Sequence, residues 1–182
     1  MRVFGIDPGS HAPGWGLVER EAGRLLHRAH GTVRQTRGAP LAERLGVLQI
    51  ELGALIEEHR PDCVAVEQVF LAAGASPRSA LVLGQARGVG MAAAAARKLP
   101  VHEYNARTIK LAVTGHGGAV KREVQTMVRR LLSLDRVPPQ DAADALAVAV
   151  CHAQSSGLPP GARSGGRRRT TRRAARFVVR RA

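Results

Sequence analysis

Apolar residues in this chain fall into short runs bounded by turn residues and longer stretches at helical spacing. Five short runs predict strands: 2–7, closed by Pro8-Gly9; 14–20 and 24–33, joined around Ala22-Gly23; 62–67, preceded by Pro61; and 101–104. The longer stretches predict helices. In 41–59, Leu45, Leu48, Leu52, Leu55 and Ile56 recur at helical spacing and make an amphipathic face. Stretch 76–99 is rich in Ala and contains Gly84, Gly88 and Gly90, whose small size permits close approach of another helix or backbone. Further helices are predicted over 105–113, ending at Gly115, Gly117 and Gly118, over 121–132, and from Pro138-Pro139 onward through Asp141. Three strands, helix, strand, helix, strand, then helices predict an α/β domain: a mixed sheet with antiparallel first three strands, flanked by helices. No internal repeat is visible.

Four carboxylates interrupt this apolar pattern. Asp7 closes the first strand, Glu67 closes the fourth, and Asp141 and Asp144 stand three residues apart on one helix face, with Ala and Val around them. Singly, Asp7 reads as a turn former before Pro8, and Asp141 as a first-turn residue that complements the helix dipole. Glu67 is harder to explain as structure, because it ends an apolar strand and is followed at once by Gln68, Val69 and Phe70. Ionised acids away from water are strongly disfavoured unless neutralised, and crowding like charges makes that worse. A hard divalent cation held by oxygens resolves both problems. The chemistry favoured by acids of this kind is phosphoryl transfer with two metal ions about 4 Å apart.

Composition narrows the setting. The chain has 182 residues, 45% of them apolar, which suits one domain with a proper core. No stretch has the length and flanks of a membrane span or a signal peptide, so a soluble, cytoplasmic protein is expected, with no membrane partner. Only Cys63 and Cys151 are present, without a CxxC, so free core thiols are expected rather than a disulfide framework or a zinc site. The formal charge is +14, and the excess is mainly in the tail: from Ser155 onward there is no acid and there are nine arginines. The expected division is a folded domain over 1–154 and a disordered Arg-rich tail over 155–182 that attracts phosphates without sequence preference.

With these residues placed, the chain closely resembles the RuvC family of Holliday junction resolvases, which have the ribonuclease H-like fold. The resemblance runs from Gly5 to about His152. It is carried by Gly5-Ile6-Asp7-Pro8-Gly9-Ser10, Glu67-Gln68-Val69-Phe70, Leu83-Gly84-Gln85-Ala86-Arg87-Gly88 and Asp141-Ala142-Ala143-Asp144-Ala145-Leu146-Ala147, in this order. The Arg-rich end departs from the family's pattern. The resemblance implies a homodimeric, Mg²⁺- or Mn²⁺-dependent endonuclease, with two ions per site, that cuts two opposed strands of a four-way DNA junction in recombination and repair. It also admits a branch-migration helicase complex as a partner and a place at the nucleoid.

The metal ligands and catalytic acids carried over are Asp7, Glu67, Asp141 and Asp144, with Lys121 at the scissile phosphate. The candidate DNA contacts are Phe70, Arg87, Lys110 and Lys121. Phe70 is placed to stack on an unpaired base near the crossover or to anchor its loop. Lys110 reads equally as a solvated helix residue, and Arg87 as a structural or phosphate-contacting group. The seven histidines lack ligand spacing, His152 lying about 16 Å along the helix from Asp141. His11 is a polar turn residue and Trp15 a packing residue.

Three other readings compete. A ribonuclease H-like nuclease acting on structured RNA keeps similar acids. An actin-type or Hsp70-type ATPase is similar around Asp7-Pro8-Gly9-Ser10, but such proteins need two such domains. A non-catalytic basic DNA-binding protein would use the tail and leave the four acids unexplained.

Overall fold

The computed structural model describes residues 1–9, 12–36, 38–68 and 76–156. His11, Phe70 and the Arg-rich stretch beyond residue 156 lie outside the described residues. Among the described residues, five strands and five helices follow the expected order: β1 (Arg2–Asp7), β2 (Gly14–Glu21), β3 (Arg24–Thr32), α1 (Leu41–His59), β4 (Cys63–Glu67), α2 (Pro77–Ala96), β5 (Val101–Tyr104), α3 (Ala106–Thr114), α4 (Lys121–Leu131) and α5 (Gln140–Ser155).

The strands form one sheet in the order β3-β2-β1-β4-β5. β1, β2 and β3 pair antiparallel, whereas β4 runs parallel to β1 and β5 parallel to β4. The sheet is therefore mixed, with its antiparallel part first in the chain. Parallel pairing forces a crossover, and α1 and α2 supply it.

Alternation along the strands sorts side chains into two cores. Phe4, Ile6, Leu17 and Val64 point to one face and pack with Leu48, Leu52 and Ile56 of α1 and Ala86, Ala93 and Ala94 of α2. Val3, Val18, Cys63 and Ala65 point to the other and pack with α3, α4 and α5 through Ile109, Val124, Val128, Leu146 and Val150. A sheet covered on both faces explains why β4 reads as a continuous apolar run. Trp15 has the packing role expected of it: it stacks on Phe4, ring centroids 5.7 Å apart and planes within 3°.

α5 is the most deeply buried helix, with every residue from Ala145 to Ala153 buried. It lies directly on β1 and β2 because those strands carry glycine on that face. A β-carbon on Gly5 would collide with the Ala145 carbonyl oxygen, one on Gly14 with the Asp141 carbonyl oxygen, and one on Gly16 would come within 2.6 Å of Leu146 Cδ2. Such crowding is tolerated only by residues without a side chain. On α2, Gly90 packs over Ile6 and Leu52, but Gly84 and Gly88 have nothing within 4 Å of an added β-carbon.

The helix ends follow local chemistry. Asn105 caps α3 by accepting from the Thr108 N–H at 2.8 Å, and Gly115 ends that helix in the left-handed region at φ 85°. The Glu123 carboxylate accepts from the Val120 N–H at 2.9 Å, which fixes the start of α4 and hence the position of Lys121.

Candidate active site

The register of β1 and β4 brings the first two acids together. Val3 pairs with Cys63, Gly5 with Ala65 and Ile6 with Val66, so continuing by one residue sets Asp7 beside Glu67. Both share the face of Gly5 and Ala65, which α5 covers. Because α5 rests on the glycines, its first two turns bring Asp141 and Asp144 over the same strand ends. A cleft of about 460 Å³ results, lined by Asp7, Glu67, Asp141 and Asp144 together with Gly9, Lys110 and Lys121.

Electrostatics shows how unfavourable this gathering is without a counter-ion. Burial, then the charges of Asp144, Glu67 and Asp141, push the Asp7 carboxyl up to about 7, against a smaller downward pull from Lys121. Glu67 is also raised, first by burial and then by Asp144, while Lys121 and Lys110 oppose the rise. Asp144 is raised by burial and by Asp141, with Lys121 and Lys110 again opposing. The Lys121 ammonium lies 3.6 Å from Asp144 Oδ2, but its side chain is 68% exposed, so solvent weakens its compensation. Two lysines facing four converging carboxylates leave a deficit of positive charge. An all-oxygen donor set of this kind fits hard divalent cations, and Asp7, Glu67, Asp141 and Asp144 are the residues that would hold them.

Arg87 lies behind this wall. Its Nε donates to the Glu67 carbonyl oxygen at 3.1 Å, and its Nη2 pairs with the Glu103 carboxylate. α2 is thereby tied to the end of β4 at the residue that carries the acid, an arrangement that strand and helix patterns do not reveal. Gly9 was also outside the sequence reading of the site. An added β-carbon there would lie 3.6 Å from Asp7 Oδ2 and 3.7 Å from Asp141 Oδ1, so its backbone forms the floor beside both acids. The Pro-Gly turn directly after Asp7 was the signal available for it.

A mixed five-stranded sheet with antiparallel first strands, covered by helices on both faces and carrying acids on two neighbouring strand ends and the helix above them, defines a nuclease of the ribonuclease H-like class. Comparison with known proteins makes this specific. The family model described as crossover junction endodeoxyribonuclease RuvC matches residues 3–152. The crossover junction endodeoxyribonuclease RuvC of Geobacter sulfurreducens is 50% identical over 156 residues, covering 86% of this chain and 94% of its own. The protein of that name from Marinobacter nauticus is 48% identical over 171 residues, covering 93% of this chain and 96% of its own; part of the stretch after residue 154 is necessarily included. The structure of Thermus thermophilus RuvC in complex with Holliday junction substrate superimposes with a TM-score of 0.79 at 35% identity, covering 86% of this chain and 94% of that one. The chain belongs to the RuvC family of crossover junction endodeoxyribonucleases, a family of metal-dependent nucleases.

Proposed function

We infer that this protein resolves four-way DNA junctions by cutting two opposed strands, using Mg²⁺ or Mn²⁺ with two ions in each active site. The observation that carries this reading is the convergence of four acids on one cleft in a chain of the RuvC family. A relative of the same fold is known in complex with Holliday junction substrate.

When bound, the ions would polarise the scissile phosphodiester and supply a nucleophilic water at neutral pH. The protein's own groups do the rest. Asp7 and Glu67 hold fixed positions because they end paired strands, and Asp141 and Asp144 because α5 cannot shift on its glycine bed. Lys121 and Lys110 present ammoniums at the cleft, where they attract the phosphate backbone and, for Lys121, offset negative charge developing on the phosphate. Phe70 stacks on an unpaired base near the crossover, and the Arg-rich tail adds sequence-independent affinity.

Symmetric cutting calls for two active sites, and a two-fold dimer supplies them. An exposed face of α2 supports such an assembly: Leu81 is 69% exposed, and Gly84 and Gly88 on the same face leave room for a close helix.

The test is Asp7→Asn on a synthetic four-way junction, with a duplex and a structured RNA as competing substrates. Loss of divalent-dependent cutting with retained junction binding is expected. Full cutting by the variant would defeat the assignment of Asp7, and preferential cutting of the RNA by the wild type would defeat the substrate.

A further inference from the structure

The far end of α5 carries a second cluster of ligand-type side chains, which the nuclease reading does not use. Cys63 opens β4, His102 lies in β5, and His152 lies near the end of α5. The Cys63 sulfur and one ring nitrogen from each histidine all lie within 4.8 Å of one another. Cys63 is 4% exposed and His152 6%, while His102 is half-buried on the edge strand. The two imidazoles stack with centroids 4.1 Å apart, and the Tyr104 hydroxyl lies 2.7 Å from His152 Nδ1. His152 is separated from Asp141 by about 16 Å of helix rise, so the cluster is distinct from the acids.

The two sites differ in chemistry as well as place. The acids offer only oxygen, which suits hard cations, whereas one thiolate with two imidazoles suits borderline ions such as Zn²⁺ and Co²⁺. With metal–sulfur bonds of about 2.3 Å and metal–nitrogen bonds of about 2.0–2.1 Å, ligand atoms around a tetrahedral ion stand roughly 3.3–3.7 Å apart. Closing to that spacing takes movements of roughly 1 Å, with the stacked rings turning apart to face the ion. His102 is the ligand best placed to move, being half-buried on the edge strand. A hydroxyl held at His152 Nδ1 is the kind of outer partner that fixes which nitrogen of a ligating histidine faces the metal.

We propose that Cys63, His102 and His152 form a site for one transition-metal ion of the Zn²⁺ class, separate from the nuclease centre. Binding replaces the thiol proton with the metal and releases that proton to solvent, and a water completes four-coordination. The ion joins β4, β5 and α5 at the end opposite the acids. Its consequence is therefore structural: it clamps the elements that present Glu67, Asp141 and Asp144.

Co²⁺ titration of the full-length chain tests this, since thiolate ligation gives a near-ultraviolet charge-transfer band that carboxylate ligation does not. The expected result is one such band saturating at one Co²⁺ per chain and displaced by Zn²⁺. It should persist in Asp7→Asn and Cys151→Ala, vanish in Cys63→Ser, and require at least tenfold more Co²⁺ in His102→Phe. His102→Phe guards against misfolding of the Cys63 variant, because it alters a half-buried position on an edge strand, and circular dichroism verifies its fold. A wild type without the band, a band surviving in Cys63→Ser, or one lost in Cys151→Ala overturns the proposal.

Discussion

Gly14 of β2 lies directly beneath Asp141 of α5, so close that a β-carbon on the glycine would overlap the Asp141 carbonyl oxygen. The contact is backbone to backbone and cannot be relieved by a side-chain rotation. Gly14→Ala should therefore lift the start of α5 and displace Asp141 and Asp144, at a stability cost of about 1–3 kcal/mol. Gly16→Ala makes a useful comparison, because its nearest neighbour is the movable Leu146 side chain at 2.6 Å. Cleavage rates on a four-way junction should fall further for Gly14→Ala than for Gly16→Ala. Equal rates, with thermal melts showing both folded, would contradict this.

The raised Asp7 carboxyl has a consequence for stability. An acid whose folded value lies near 7 rather than 3.8 binds more protons in the native than in the unfolded state between those limits. Its contribution to metal-free stability therefore falls as pH rises through that window and stays low above it. Asp7→Asn removes the penalty and should make the metal-free protein more stable than wild type at pH 8, by about 2–4 kcal/mol, with little difference at pH 4. Mg²⁺ should stabilise wild type more at pH 8 than at pH 5.5. Denaturant unfolding of both proteins, with and without Mg²⁺, measures each difference.

Arg87 has two available roles, and kinetics separates them. The hydrogen bond to the Glu67 carbonyl and the ion pair with Glu103 favour positioning of the β4 end. Under that role Arg87→Ala lowers kcat by about tenfold with junction affinity nearly unchanged. An affinity loss with kcat preserved would point instead to a phosphate contact.

Truncation after Ser156 removes the nine arginines of the tail. If these meet DNA phosphates, the dependence of log affinity on log salt becomes shallower, by about 0.9 for each duplex phosphate that the arginines neutralise. Junction cutting in low salt should persist. An unchanged slope would exclude the tail from DNA binding.

The fold was legible because its signals are local. Proline and glycine punctuate the strands, the leucines of α1 keep helical spacing, and Asn105 and Gly115 mark the ends of α3. Helix α2 stops at Ala96, short of the expected 99, because Lys98 adopts a left-handed φ of 58° and the chain turns so that Leu99 packs against the core formed with α1 and α2. The four acids were legible as groups out of place in apolar surroundings, and they line one cleft. The partners of Arg87 and the grouping of Cys63, His102 and His152 were not: the first depends on how α2 folds back on the strands either side of it, and the second on α5, distant in sequence, meeting β4 and β5. Likewise, glycine in β1 and β2 was visible, but the identity of the helix resting on it was not.

The acids of the cleft come from positions 7, 67, 141 and 144, and the helix bearing the last two is the final described element of the fold. On a ribosome, β1 through α4 emerge while the site still has only Asp7 and Glu67 of its four carboxylates. A nascent chain, or a fragment ending before Asp141, thus has half of the acids and none of the helix that closes over the strand ends. The cleft that gathers all four acids is therefore completed only when α5 docks, and on the proposed reading that docking, by the order of the chain's own elements, is the step that switches cutting on.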